Sequence, residues 1–287
     1  MGELEDPGSW RRLAVMVWAV LRLALGAYAL WLVLACLLQR KVLFPTYVLG
    51  EPPSEGISVS GGEQAWLETS AGRVEWWYFP HPELGAPGSG PLVLYTHGNA
   101  ELIHDQVPLI ERYRDLGFHV LLVEYRGYGR SASGPSQATI VEDQGRVLES
   151  VLARPEVDAS RLLLHGRSVG TGVACALVQK FEPRAVVLTS PFTSVRAMFA
   201  GYGVPGFLAF DPFDNARALA QSDVPVLILH GDRDGTIPHE HGERLAGLRE
   251  GIELVTLPGF GHNDLPVWGS PAQEALKGFL GRVELVD

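Results

Sequence analysis

The stretch "LLLHGRSVGTGVACAL", residues 162–177, decides the fold. An aliphatic run that reads as a buried strand meets a helical run with almost no linker, and a lone Ser168 sits at the bend between Gly166 and Gly170. A serine held on so sharp a strand-to-helix turn takes a strained backbone and projects its hydroxyl above the sheet. The chain can close that tightly only where the neighbours two residues away lack side chains. The spacing G-x-S-x-G is common by chance. Placed between a strand and a helix, it reads as a nucleophile rather than as a helix-capping serine with turn glycines.

Outward from this turn the pattern repeats. From Pro91 onward, short aliphatic runs alternate with amphipathic ones: "PLVLYTHG", then Ile103 to Leu116; "HVLLVEY", then Ile140 to Leu152; "RLLLHG", then Val169 to Lys180. "AVVLTS" leads into a longer insertion, "VPVLILHG" into His239 to Leu248, and "IELVTL" into Pro271 to Val283. Continuous apolar strands separated by helices predict a parallel sheet covered on both faces, with functional loops at the strands' C-terminal ends. Before it, "AWLET" and "VEWWYFP" read as an antiparallel pair. The fold class is therefore α/β, with about eight mostly parallel strands.

A serine hydroxyl is a poor nucleophile at neutral pH and needs a base, and the base needs an orienting group. "VLILHGDRDGTIP" puts Asp232 and Asp234 in the loop after one strand, and "LVTLPGFGHND" puts His262 after the next. Of nine histidines, His262 alone joins a loop position, the end of the last strand and a place downstream of the acid. His97, His165 and His230 precede glycines at strand ends and read as packed or backbone-bonded; His81, His104 and His119 read as surface or packing residues. His239 and His241, two apart, do not share a helix face, so no metal site is expected. Residues 232 and 234 cannot both reach one imidazole nitrogen; the spacing leaves the choice open. In "YTHGNAE" the Asn99 amide can face the Val169 amide across the space above Ser168, as an oxyanion hole requires.

The first forty residues differ in kind. Residues 13–38, "LAVMVWAVLRLALGAYALWLVLACLL", are apolar apart from Arg22. At about 1.5 Å per residue they outlast a hydrocarbon core of about 30 Å. Arg22 at mid-membrane costs roughly 2.5–3.5 kcal/mol, a cost avoided if the span starts a few residues later and the arginine snorkels to the interface. A cleaved signal peptide fits less well, because no small-x-small site follows. The expected organisation is a tail over 1–12, a transmembrane anchor over 13–38, a lead-in over 39–64 and a catalytic domain over 65–287 with a short cap at 191–222. The Arg/Lys balance around the span favours an inside N-terminus slightly, which puts the catalytic domain outside or in a lumen.

Composition narrows the function. A formal charge of −10 repels phosphate backbones and excludes nucleic acid as a partner. The two cysteines, Cys36 and Cys175, lie in apolar runs and read as packing residues. The cap is apolar for a solvent-facing segment, with Phe192, Met198, Phe199, Tyr202, Phe207, Leu208 and Phe210.

The motifs "THGNAE", "VEYRGYGRS", "GRSVGTG", "TSPFTSV", "FDNARALA", "HGDRDGTIP" and "GFGHND", in this order after an apolar segment ending "QRKVLFP", resemble the membrane-anchored branch of the α/β-hydrolase superfamily. That branch includes protein depalmitoylating thioesterases and lysophospholipid lipases. The resemblance covers about residues 39–283. It implies Ser168 as nucleophile, Asp234 as acid, His262 as base, and the Asn99 and Val169 amides as oxyanion hole. It implies a packing and turn-forming role for Tyr125, Arg126, Gly127 and Tyr128 at the pocket floor; Asp211 and Asp214 read as structural. The expected function is a serine hydrolase acting on carboxylic esters or thioesters of apolar acyl substrates through an acyl-enzyme, without metal or organic cofactor. The alternatives are a serine peptidase on the same fold and a catalytically silent binding or scaffolding module.

Overall fold

In a computed structural model of the chain, residues 7–50, 52, 61–83, 90–132, 134–269 and 271–286 are described. The chain divides into two compact units, 1–39 and 40–287. Helix α1 (Pro7–Leu43) supplies the described part of the first unit. Its segment Trp10–Leu43 contains an 18-residue window of mean hydropathy 2.1 and is, among the described residues, the one helix long and apolar enough to cross a membrane. Residues 1–6 of the expected tail, 51 and 53–60 of the expected lead-in, and 84–89, 133, 270 and 287 of the expected catalytic domain lie outside the described residues.

The second unit holds one sheet. The antiparallel pair is β1 (Glu63–Thr69) with β2 (Gly72–Phe79), in register from Glu63↔Tyr78 to Thr69↔Gly72. Then come β3 (Gly90–Thr96), α2 (Val107–Asp115), β4 (His119–Val123), α3 (Gln137–Leu152), β5 (Val157–Arg167) and α4 (Val169–Phe181). After β6 (Ala185–Thr189) the cap contributes α5 (Val195–Gly201) and α6 (Asn215–Ala220). The chain closes with β7 (Val226–Gly231), α7 (Glu240–Ala246), β8 (Ile252–Leu257) and α8 (Ala272–Arg282). The strand order is β1-β2-β4-β3-β5-β6-β7-β8, with β2 antiparallel to both neighbours and the rest parallel. This is the expected fold class, an eight-stranded, mostly parallel sheet with helices on both faces.

The aliphatic runs are continuous because both faces of the sheet are covered. Every residue of β3, β4, β6 and β7 is buried. Alternate residues serve opposite cores: Leu92, Leu94, Val186 and Leu188 pack in one, Val93, Tyr95, Ala185 and Val187 in the other. The order β4-β3-β5 sets the strand that leads into His97 beside the strand that leads into Ser168. Their loops therefore open at the same edge.

The cap begins and ends on its own hydrogen bonds. Ser194 and Asp214 form an isolated β-bridge and cap α5 and α6 by accepting from the Ala197 and Arg217 amides. Its apolar residues divide: Phe192 is buried, Met198 and Phe199 pack against the core, and Tyr202, Phe207 and Phe210 face solvent.

Candidate active site

Ser168 occupies the turn between β5 and α4 with φ 52° and ψ −120°, a conformation rare for a residue with a side chain. The surroundings leave it no alternative. A Cβ on Gly166 would meet the Gly170 carbonyl carbon and Thr171 Cα, each at 2.7 Å, and one on Gly170 would collide with the Thr96 carbonyl oxygen. Three hydrogen bonds hold the bend: Ser168 N–H to Thr189 O (2.9 Å), Thr171 Oγ1 to Ser168 O (2.6 Å), and Thr96 Oγ1 to Gly170 O (2.8 Å). α4 starts at Val169, so the Val169 amide stands among the first N–H groups of the helix, which have no intrahelical acceptor.

His262, in the loop after β8, places Nε2 2.9 Å from Ser168 Oγ and Nδ1 2.7 Å from Asp234 Oδ2. Asp234 itself is held tightly: its Oδ1 accepts from the Thr236 and Ile237 amides at 2.9 and 2.7 Å, and His230 Nε2 lies 3.3 Å from Oδ2. Burial opposes ionisation of Asp234, but the bonds from His230, His262 and the Ile237 amide outweigh it and keep the carboxyl well below the usual carboxylate range. A carboxylate at Nδ1 leaves Nε2 facing the hydroxyl as acceptor. The other candidate acid, Asp232, points elsewhere and accepts from the Gly259 amide at 2.7 Å.

The loop after β3 is fixed from below by side chains that sequence reasoning treats as packing. His97 Nδ1 bonds the Gly98 carbonyl at 2.8 Å and so orients the peptide whose N–H is the Asn99 amide. His97 Nε2 lies 2.9 Å from the buried carboxylate of Glu124. The Tyr125 and Tyr128 hydroxyls donate to the carbonyls of His97 (2.8 Å) and Asn99 (2.9 Å). Burial pushes both phenols up, which favours the protonated form that donates. Arg126 turns away and pairs with Asp143 at 2.5 and 2.7 Å.

Two groups support the site beyond what the sequence indicates: Arg167, which carries no signal there, and His230, which reads only as packed or backbone-bonded. Arg167, the residue before the serine, pairs with Glu101 and donates through Nη2 to the His262 carbonyl at 3.0 Å and to Asn263 Oδ1 at 3.3 Å. Glu101 in turn accepts from the Gly98 amide at 2.8 Å. His230 supports Asp234 as described and also contacts the Ile237 carbonyl at 3.0 Å. The only signal for His230 was its place four residues before Asp234 on the same strand end.

His165 is buried between the Tyr113 hydroxyl (2.6 Å) and Thr189 Oγ1 (3.0 Å). His239 and His241 bond Thr256 and Thr193, and among the described residues no cluster of three His, Cys, Asp or Glu side chains could hold a metal ion. Asp211 pairs with Arg40 and accepts from the Gln137 amide; Asp214 caps α6. A cavity of about 510 Å³ is lined by Arg167 and Asn263, the chain neighbours of Ser168 and His262, together with Tyr95, Glu101, Leu265 and Trp268 among others.

Residues 89–213 match the family described as serine aminopeptidase, S33. An uncharacterized protein of Mycobacterium tuberculosis, Rv2307c, is 35% identical over 232 residues, covering 79% of this chain and 80% of that protein. The lysophosphatidylserine lipase ABHD12 of Danio rerio is 31% identical over 224 residues; the match covers 68% of this chain and 56% of the lipase. Among solved structures, esterase 2 of Thermogutta terrifontis superposes with a TM-score of 0.65 at 16% identity, over 84% of this chain and 98% of the esterase. With the sheet order and the strand-to-helix serine turn, these similarities make the chain a hydrolase-type member of the α/β-hydrolase superfamily.

Proposed function

We propose that the protein is a serine hydrolase that cleaves carboxylic ester or thioester bonds of apolar, lipid-like acyl substrates. In this reading His262 Nε2 takes the Ser168 proton as Oγ attacks the acyl carbonyl carbon, and Asp234 stabilises the imidazolium that results. The Asn99 and Val169 amides donate to the oxyanion of the tetrahedral intermediate. His262 then returns its proton to the leaving alcohol or thiol, which departs and leaves the acyl group on Ser168. Water, deprotonated by the same imidazole, releases the acid.

The observation that carries the proposal is the unbroken relay of Ser168 Oγ, His262 and Asp234 at 2.9 and 2.7 Å. An apolar acyl group suits the Phe192, Met198 and Phe199 side of the cap and the long apolar helix α1, which would tether the enzyme to a bilayer as a single-pass anchor. The named activity of the fish relative supports lipid esters as the first substrates to try. Ser168→Ala should lower turnover of a p-nitrophenyl ester series by on the order of 10⁶. Comparable turnover by wild type and variant would refute the assignment, and activity confined to the acetyl ester would refute the lipid-like acyl group.

The family description favours one second reading, an aminopeptidase using the same relay. Aminoacyl amides hydrolysed faster than the matching esters would establish it. Reporter fusions at both termini test the expected inside N-terminus.

A further inference from the structure

The exposed apolar surface of the second unit is concentrated rather than scattered. Among its described residues, the large hydrophobic side chains standing in solvent are Val42, Tyr47, Val48, Tyr202, Phe207 and Phe210, with Leu248 apart from them; Phe207 is 83% exposed. The six come from two segments, 42–48 and 202–210, and two contacts tie those segments together. Arg40 Nε meets Asp211 Oδ2 at 2.8 Å, and the rings of Phe44 and Phe213 meet edge to face at 6.4 Å. The outer edge of the cap is thereby fixed beside the stretch of chain that follows the apolar span.

We propose that this face is seated in the surface of a lipid bilayer, so that the cap touches lipid with Phe207 and Phe210 while the chain enters the membrane beside it. The proposal rests on reading α1 as a membrane anchor. Continuity then favours lipid as the occupant. Arg40 and Lys41 follow the span directly, at the level of phosphate headgroups, and Tyr47 beside them is the residue type that settles at that interface. Lys41 supplies the positive charge of this rim, Arg40 being paired with Asp211, and apolar side chains dipping below it bind a membrane surface by the apolar area they bury.

The full chain in phosphatidylcholine vesicles provides the test. A fluorophore is attached through Phe207→Cys, Phe210→Cys or, as control, Leu248→Cys, in a background carrying Cys36→Ala and Cys175→Ala. Nitroxide on the lipid should quench the probes at 207 and 210 and spare the one at 248, while aqueous iodide should do the opposite. Phe207→Asp combined with Phe210→Asp should lower hydrolysis of a long-chain ester carried in the vesicles by about tenfold. It should leave hydrolysis of a water-soluble butyrate ester unchanged. Equal iodide quenching at 207 and 248 in a chain that floats with the vesicles would overturn the proposal. So would shielding from both quenchers, which assigns the face to a second copy or another protein. A chain that fails to float overturns the anchor as well, whereas wild type that floats and is quenched but hydrolyses neither ester defeats only the catalytic reading.

Discussion

Arg167 is placed to act on three loops through one guanidinium. Its pair with Glu101 reaches the Gly98 amide, and its second nitrogen reaches the His262 carbonyl and the Asn263 side chain. A part-exposed ion pair contributes little to global stability, so its effect belongs to the alignment of Ser168, His262 and the Asn99 amide. Arg167→Met should lower kcat by about tenfold with KM nearly unchanged, since slight misplacement of reacting groups costs rate rather than binding. Glu101→Gln combined with it should add little beyond either change alone, the signature of a shared strut. Steady-state kinetics of the two single variants and the double variant check this; full additivity contradicts it.

His165 gives a residue-scale prediction about stability. Burial between Tyr113 and Thr189 pushes its imidazole down to about 3 from 6.5. The folded state therefore refuses a proton that the unfolded chain accepts. Stability from this group is whole above pH 6.5 and falls by about 1.4 kcal/mol per pH unit as the pH drops from there toward 3. Urea unfolding at pH 6.5 and pH 5 should differ by about 2 kcal/mol more in the wild type than in His165→Gln. Equal differences contradict it.

At the scale of elements, the join of β5 to α4 is the tightest point of the fold. Gly170→Ala would drive a methyl group into the Thr96 carbonyl of β3, a backbone atom in the centre of the sheet that cannot rotate away. We expect a loss of about 1–3 kcal/mol, and about 2–4 °C of melting temperature per kcal/mol for a chain of this size. An unchanged melting temperature would mean that the elbow is looser than described. This element was legible because its glycines and its serine are forced by sterics that act within a few residues, and the aliphatic strands were legible because burial on both faces leaves no polar positions. Other elements were less so. The sequence places the start of α3 at Ile140, but the helix begins at Gln137, where Ser136 and Thr139 cap its polar first turn. A polar turn carries no hydrophobic period to read. Within the site, the spacing alone could not divide Asp232 from Asp234. That choice depends on which oxygen the β7 and β8 loops bring to His262, a matter of tertiary geometry. The support from His230, Arg167, Glu101, Tyr125 and Tyr128 was hidden for the same reason, because each partner lies on a different strand or loop in the folded chain.

For the molecule as a whole, one long apolar helix among the described residues and a cap that turns aromatic residues outward are the features on which the proposed membrane-held hydrolase rests. That proposal stands or falls with the reactivity of one hydroxyl, which the relay through His262 to Asp234 is proposed to sharpen. The direct measurement is peptide mapping by mass spectrometry after treating the folded, full-length protein with a fluorophosphonate. The account predicts a single phosphonyl adduct on Ser168, abolished in His262→Ala. A protein left unmodified, or labelled on another serine, would contradict it.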